Sequence, residues 1–265
     1  MNLKKLLKKG LVITMIGTLA ISMVACGSDK NKTNTLNKDE IVLGFDDTFV
    51  PMGFKGDDSN YTGFDIELSE AVAKKLNKKI TFQPIDWTMK ESELKNGNID
   101  LIWNGYSVTD DRKKEVDFSK SYLKNRQVII TLADSTINSK DDLKGKKVAA
   151  QDQSSAVDAI GNYKDNFKEL ITFSTNDEAL RDLEAGRSDA VVADEILSRY
   201  YLKLKGETKY KVLSDDFGSE EYAVGIRKDD KEFVDTFNKA YDEVVADGTA
   251  SEISKKWFGE DIILK

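Results

Sequence analysis

Two stretches of the chain share one pattern: "LKNGNIDLIWNG" at residues 94–105 and "LEAGRSDAVVAD" at residues 183–194. In each, Leu is followed three residues later by Gly and three later again by Asp. Four residues then lead to a flexible or polar one. A glycine so placed ends a helix in the left-handed conformation, and the Asp after it opens a buried strand. The same spacing repeated over a dozen positions predicts two related lobes. Gly105 and Asp194 then stand at the carboxyl ends of corresponding strands, where open α/β sheets take their ligands. One cleft between the lobes would be faced by both.

The rest of the chain alternates in the same way. "EIVLGF" (Glu40–Phe45), "ITFQPI" (residues 80–85), "DLIWN" (residues 100–104), "KKVAAQ" (residues 146–151) and "DAVVA" (residues 189–193) read as strands. Between them, residues 65–77 read as a helix whose face carries Leu68, Val72 and Leu76 with Ala71, and which Asp65 can cap. A second helix ends at Gly97, a third starts at "SSAVDAIGN", and a fourth covers residues 177–185 before Gly186. Alternation of this kind predicts α/β architecture.

The amino end assigns a compartment. Lys4, Lys5, Lys8 and Lys9 precede an apolar run over residues 11–25. That run is shorter than the roughly 20 residues a membrane helix needs and fits the apolar region of a secretory signal. It ends at "SMVACGS", which resembles the lipobox of bacterial lipoproteins, with Met23 where Leu is usual. Cys26, the only cysteine, is the expected lipidation site, and residues 1–25 the expected signal peptide. Its removal takes four Lys and no acid, lowering the formal charge from −7 to −11. Binding phosphate backbones takes clustered Lys and Arg, so no nucleic-acid partner is expected. Residues 26–39 hold one apolar residue after Ala25 and read as a flexible tether spanning about 20 Å. With no His and no further Cys, imidazole and thiol chemistry are excluded. No pair of acids has the alternating spacing of a calcium loop, and no metal or cofactor is expected.

From about residue 41 to 258 the chain resembles the extracytoplasmic solute-binding proteins of polar amino acid ABC importers. The resemblance is carried, in order, by "FVPMGF", "GFDIELSEAVAKKL", "GYSVTDDRKKEVDFSKSY", "DLKGKKVAAQDQSS", "GRSDAVVADE" and "KKWFG". It implies a two-lobed fold of the type II periplasmic-binding-protein kind, each lobe a mixed sheet flanked by helices and joined by two hinge strands. Lobe 1 would be residues 40–123 plus 222–265 and lobe 2 residues 124–221, with hinges near residues 122–126 and 218–222. It further implies a lipid-anchored monomer on the outer face of the cell membrane. That monomer would deliver a glutamine-, lysine/arginine- or cystine-like amino acid to a membrane permease. An enzyme on the same scaffold, resembling cyclohexadienyl dehydratase and using Asp46 or Glu91 as its acid, is the alternative, with a sensor head as a third reading.

By the same resemblance Arg112 clamps the ligand's carboxylate, Ser107 lies near carboxylate and ammonium, and Gly105 offers its carbonyl to the ammonium. Asp194 binds the ammonium or caps the helix that follows it. Ser154 and Ser155 open a lobe-2 helix facing the carboxylate, and Gln151 lies where side-chain selection varies. Phe49 and Trp87 are cleft walls or core aromatics, and Asp46 touches the side-chain tip or sits in a turn. Thr109 positions the turn carrying Arg112, Lys113 and Lys114 are surface, Trp103 is core and Tyr106 is pocket rim. The chemistry suits a free amino acid. Arg donates a two-pronged pair of hydrogen bonds to a carboxylate, and an ammonium needs oxygen acceptors because burying it unpaired is costly.

Overall fold

The computed structural model describes residues 34–206 and 208–265. Strand β1 (Glu40–Phe45) is followed by a three-stranded antiparallel sheet of β2 (Thr48–Phe49), β3 (Gly53–Lys55) and β4 (Tyr61–Thr62). Helix α1 (Phe64–Lys75) buries Phe64, Leu68 and Val72. Then come β5 (Lys79–Pro84), α2 (Lys90–Asn96), β6 (Leu101–Ile102), α3 (Arg112–Glu115) and β7 (Val116–Phe118). The chain continues through β8 (Leu123–Leu132), β9 (Lys147–Gln151), α4 (Ser155–Ile160), β10 (Glu169–Phe173), α5 (Asn176–Glu184), β11 (Ala190–Asp194) and α6 (Glu195–Lys205). It ends with β12 (Tyr210–Tyr222), β13 (Gly225–Arg227), α7 (Lys231–Ala246) and α8 (Thr249–Phe258).

Two five-stranded sheets result. The first has the order β5-β1-β6-β13-β7 and the second β10-β9-β11-β8-β12. Both are mixed: β5, β1 and β6 run parallel, as do β10, β9 and β11, while the remaining pairings are antiparallel. β9 and β11 are apolar along nearly their whole length because both of their faces are covered. The chain leaves the first sheet between β7 and β8 and returns between β12 and β13. At that crossing β8 and β12 pair over Leu123↔Tyr222, Lys124↔Glu221, Asn125↔Glu220 and Arg126↔Ser219.

The sequence repeat is a structural repeat. Gly97 (φ 81°) and Gly186 (φ 67°) both close their helices in the left-handed region. The Asp three residues on then makes the same two bonds in each half. Asp100 N–H donates to the Val42 carbonyl at 2.7 Å, and its Oδ2 accepts from Val42 N–H at 3.1 Å. Asp189 N–H donates to the Lys147 carbonyl at 2.8 Å, and its Oδ2 accepts from Lys147 N–H at 2.8 Å. Each Asp thus pins the start of one strand to the strand beside it. β6 is shorter than its sequence implies, because the chain turns away after Ile102 toward the site.

Two expectations change. Asp65 does not cap α1: Gly63 holds that position, and Asp65 lies fully buried inside the first turn. Its Oδ2 accepts from Gly105 N–H at 2.7 Å and from Tyr122 Oη at 3.0 Å. The tether expected over residues 26–39 ends earlier. Residues 35–37 form a 3-10 turn capped by Asn34, and Thr35 is fully buried. Arg227 donates to Thr35 Oγ1 at 2.7 Å, and Lys38 Nζ reaches the buried Asp100 at 2.7 Å. Polar side chains dock this segment, which is why its low hydrophobicity misleads. Residues 1–33, with the expected signal peptide and Cys26, lie outside the described residues.

Candidate functional site

The turn after β6 builds one wall of the site. Gly105 has φ +58°, and a Cβ placed there would stand 2.7 Å from Phe49 Cε1 and 3.1 Å from Tyr222 Cε2. Only glycine lets the chain pass between those rings. Ser107 is buried, and its Oγ lies 2.9 Å from Ser155 Oγ. Thr109 Oγ1 accepts from Arg112 N–H at 3.2 Å, so it does position the turn. Arg112 opens α3 and is 6% exposed. Its guanidinium lies over the Tyr106 ring at 4.5 Å and donates to the carbonyls of Ser107 (3.0 Å) and Gln153 (3.3 Å). Its neighbours Lys113 and Lys114 are exposed and pair with Asp110 and Asp111.

The facing wall comes from the second sheet. Ser154 precedes α4 without capping it through its side chain; its Oγ donates to the Gln151 carbonyl at 2.7 Å. Ser155 Oγ accepts from Gln127 Nε2 at 3.1 Å. Asp194 ends β11 at the position before α6, but its side chain makes no capping bond. Its Oδ1 instead accepts from Asn125 Nδ2 (2.6 Å), Gln127 Nε2 (3.0 Å) and Tyr222 Oη (2.6 Å). The capping alternative for Asp194 is therefore wrong. Burial pushes this carboxyl up to about 7, with the charge of Glu220 the next cause.

Asp46 sits in the expected turn and also reaches across to the second sheet. Oδ1 accepts from Thr48 N–H (2.9 Å) and Oγ1 (2.6 Å) in a tight turn, while Oδ2 accepts from Gln151 Nε2 at 2.7 Å. Burial raises its carboxyl above the ordinary value, against those hydrogen bonds. Gln151 is fixed in turn by Asn176 Nδ2 at 2.8 Å. Phe49 and Trp87 are 5% and 6% exposed, packed in the core and also lining the cavity.

One cavity, with about 280 Å³ of empty volume, is lined by Asp46, Phe49, Trp87, Gly105, Arg112, Gln151, Ser154, Ser155 and Asp194. Ser107 does not line it but meets it through Ser155. The family model of bacterial extracellular solute-binding proteins, family 3, matches residues 41–260. The chain belongs to that family. A substrate-binding protein of an ABC uptake transporter from Streptococcus pneumoniae, solved with bound histidine, is 42% identical to this family 3 chain. It superposes with a TM-score of 0.84, covering 90% of this chain and all of that one. The arginine-binding extracellular protein ArtP of Bacillus subtilis is 32% identical, covering 95% of this chain and 98% of ArtP. The L-cystine-binding protein TcyJ of Escherichia coli is 30% identical, over 94% and 96%. The family 3 fold here is the two-lobed type II arrangement of periplasmic amino-acid-binding proteins.

Three residues of this family 3 site were missed in the sequence. Asn104 lines the cavity, accepts from Asp46 N–H at 3.1 Å, and has a buried Nδ2 with no partner. Lys90 is 2% exposed and donates to the carbonyls of Trp87 and Gln153, each at 3.1 Å. Burial, then the nearby Arg112 charge, lowers it to about 8. Glu220, on β12, accepts from Ser107 Oγ at 2.7 Å and Ser155 Oγ at 3.3 Å. Strand alternation was the available signal for it: Tyr222 is buried, so Glu220, two residues earlier, shares its face. Tyr106, expected at the rim, is fully buried behind Arg112, with Oη donating to Glu91 at 2.8 Å. Glu91 also lies 3.3 Å from Lys90 and 4.0 Å from Arg112. Its carboxylate is thus paired with Tyr106, Lys90 and Arg112.

Proposed function

We propose that the chain binds a free polar amino acid in this cavity and passes it to a membrane ABC importer, without turning it over. The carrying observation is that Arg112 and Asp194, cation and acid from opposite walls, line one small cavity. A zwitterion matches both: guanidinium to carboxylate, carboxylate and hydroxyls to ammonium. The side-chain class is polar because Asp46, Gln151 and the unpartnered Nδ2 of Asn104 share the lining with the flat faces of Phe49 and Trp87. Relatives named for arginine, histidine and cystine support the same class. Asp46, Phe49, Trp87, Gly105, Ser107, Arg112, Gln151, Ser154, Ser155 and Asp194 act together as the recognition set. The protein works outside the cytoplasm, anchored through lipid on Cys26, as a monomer with lobes joined at residues 122–126 and 218–222. Among the described residues no helix is long and apolar enough to cross a membrane.

A thermal-shift screen of the common amino acids, followed by calorimetry and product analysis, tests this reading. Saturable binding of one or a few polar amino acids with no product is expected. Binding of none of them, or conversion of a bound compound, would overturn it.

A further inference from the structure

The second crossing strand brings a second carboxyl to the first. Asn125 Nδ2 lies 2.6 Å from both Asp194 Oδ1 and Glu220 Oε1. Gln127 Nε2 lies 3.0 Å from the one and 2.8 Å from the other. Two carboxyl oxygens that share two amide nitrogens so closely are held near each other. The register explains it: Asn125 pairs with Glu220, and Gln127 pairs with Asp194 across β11.

The remaining contacts supply no positive charge. Ser107 and Ser155 hydroxyls reach Glu220, and the Tyr222 hydroxyl donates to Asp194 at 2.6 Å. On β8, Arg126 is committed to Glu195 and Asp216, and Lys124 is exposed. Arg112 lines the same cavity as Asp194 but is held by Tyr106 and two carbonyls. Glu221, next along β12, is exposed, and on α6 Glu195 is itself paired with Arg126 and the exposed Arg199. Among the described residues no Lys or Arg pairs with Asp194 or Glu220. Beside them, Asn125 Oδ1 and Gln127 Oε1 are buried acceptors with no partner, on side chains 5% and 0% exposed. The surroundings are therefore rich in acceptors and short of a cation.

A buried carboxylate with a half-buried one beside it resists joint ionisation, because no paired Lys or Arg offsets burial and mutual repulsion. Resting on the reading that this cavity takes an amino acid, we infer that Asp194 and Glu220 share one proton in the free protein and that the ligand's ammonium displaces it. The O–H bond between the two carboxyls breaks, the ammonium N–H groups replace it as donors, and the proton passes to solvent. A route exists, since Glu220 is half-buried and also lines a second, open cavity of about 790 Å³ with Lys124, Arg126, Glu195 and Ser219. Glu220 is thus a recognition residue in its own right, and binding strengthens as pH rises toward neutrality. The elevated Asp194 carboxyl is consistent with this.

Calorimetry of L-arginine, L-glutamine and L-cystine at about pH 6, in buffers of differing ionisation enthalpy, counts the protons. Each probe keeps a single charge state there. Release of about one proton per bound ligand is expected, with affinity rising up to about tenfold per pH unit below neutrality. Glu220→Gln removes the second carboxyl but leaves Asp194 buried, so release should fall clearly below one without vanishing. Equal heats in all buffers, or unchanged release in Glu220→Gln, would overturn the inference and leave amino acid binding standing. A ligand-free arm decides the shared proton even if no probe binds, an outcome that would instead sink the functional reading. Carboxyl carbon NMR should show a titration near neutrality that moves to lower pH in Glu220→Gln and is lost in Asp194→Asn. A titration that stays in place in Glu220→Gln or survives Asp194→Asn, or none to lose, contradicts the shared proton. The separate titration of buried Asp65 is identified by its loss in Asp65→Asn.

Discussion

Replacing Arg112 by alanine removes a guanidinium that touches both walls of the site. It is 6% exposed, lies over the Tyr106 ring at 4.5 Å, and donates to the carbonyls of Ser107 and Gln153. In the proposed bound state its partner is the ligand's carboxylate. Removing one member of a buried pair leaves the other buried and unmatched, at a cost of about 3–5 kcal/mol. With about 1.4 kcal/mol per tenfold, Arg112→Ala should weaken binding by about two to three orders of magnitude. Arg112→Lys keeps a charge but loses the planar fork and its stacking, and should fall between. Lys113→Ala is the control, because that side chain is 56% exposed and pairs only with the 94% exposed side chain of Asp110. Surface pairs of that kind contribute about 0–1 kcal/mol. Titration calorimetry of the three variants, with circular dichroism to verify folding, gives the ordering. If Lys113→Ala weakened binding as much as Arg112→Ala, the clamp and the register of the whole site would be misassigned.

Three further outcomes are expected. Burial raises the Asp65 carboxyl to about 7 from an ordinary 3.8. The folded state therefore holds a proton that the unfolded chain gives up, and stability should fall as pH rises from about 4 to about 7. Urea midpoints across that range should flatten in Asp65→Asn, and an unchanged slope would contradict the assignment. Cys26→Ser should release the protein from membranes into the soluble fraction, since two acyl chains hold where one is marginal; retention by membranes would refute the lipid anchor. Ligand contacts to both walls favour closure about the β8–β12 crossing. Small-angle scattering should show compaction on saturation with ligand, and an unchanged radius of gyration would count against hinging.

Much of the fold was legible because local rules and tertiary needs agreed. The Leu-Gly-Asp spacing marks a helix end, a turn and a strand start, and Asp100 and Asp189 repeat one pair of backbone bonds in each half. Gly105 and Asp194 followed from those strand ends, and the other candidate site residues from the family resemblance. What stayed hidden was decided by distant partners. Asp65 has the sequence position of a cap, yet serves Gly105 and Tyr122, forty and fifty-seven residues away. Glu220 lies between exposed Ser219 and Glu221 on a strand read only as a hinge. Alternation from Tyr222 puts it on the inward face, but its partner Asn125 is set by the β8–β12 register, which spacing alone does not give. Lys90 carried no signal in the spacing, and three residues back Trp87 supplies a ring and carbonyl that help bury it. Residues 34–39 lacked apolar character because Arg227, Lys78 and Asp230 dock them through polar bonds.

The central claim is that both charged ends of a free amino acid are read together, by Arg112 on one wall and Asp194 on the other. Calorimetry of the tightest-binding amino acid against its methyl ester and its N-acetyl derivative tests this most directly. Each derivative leaves a buried group facing a neutral one, and losing one such match costs several kcal/mol where charges are involved. The account predicts that each binds at least about 100-fold more weakly than the parent. An ester or N-acetyl derivative that bound as tightly as the parent would contradict it.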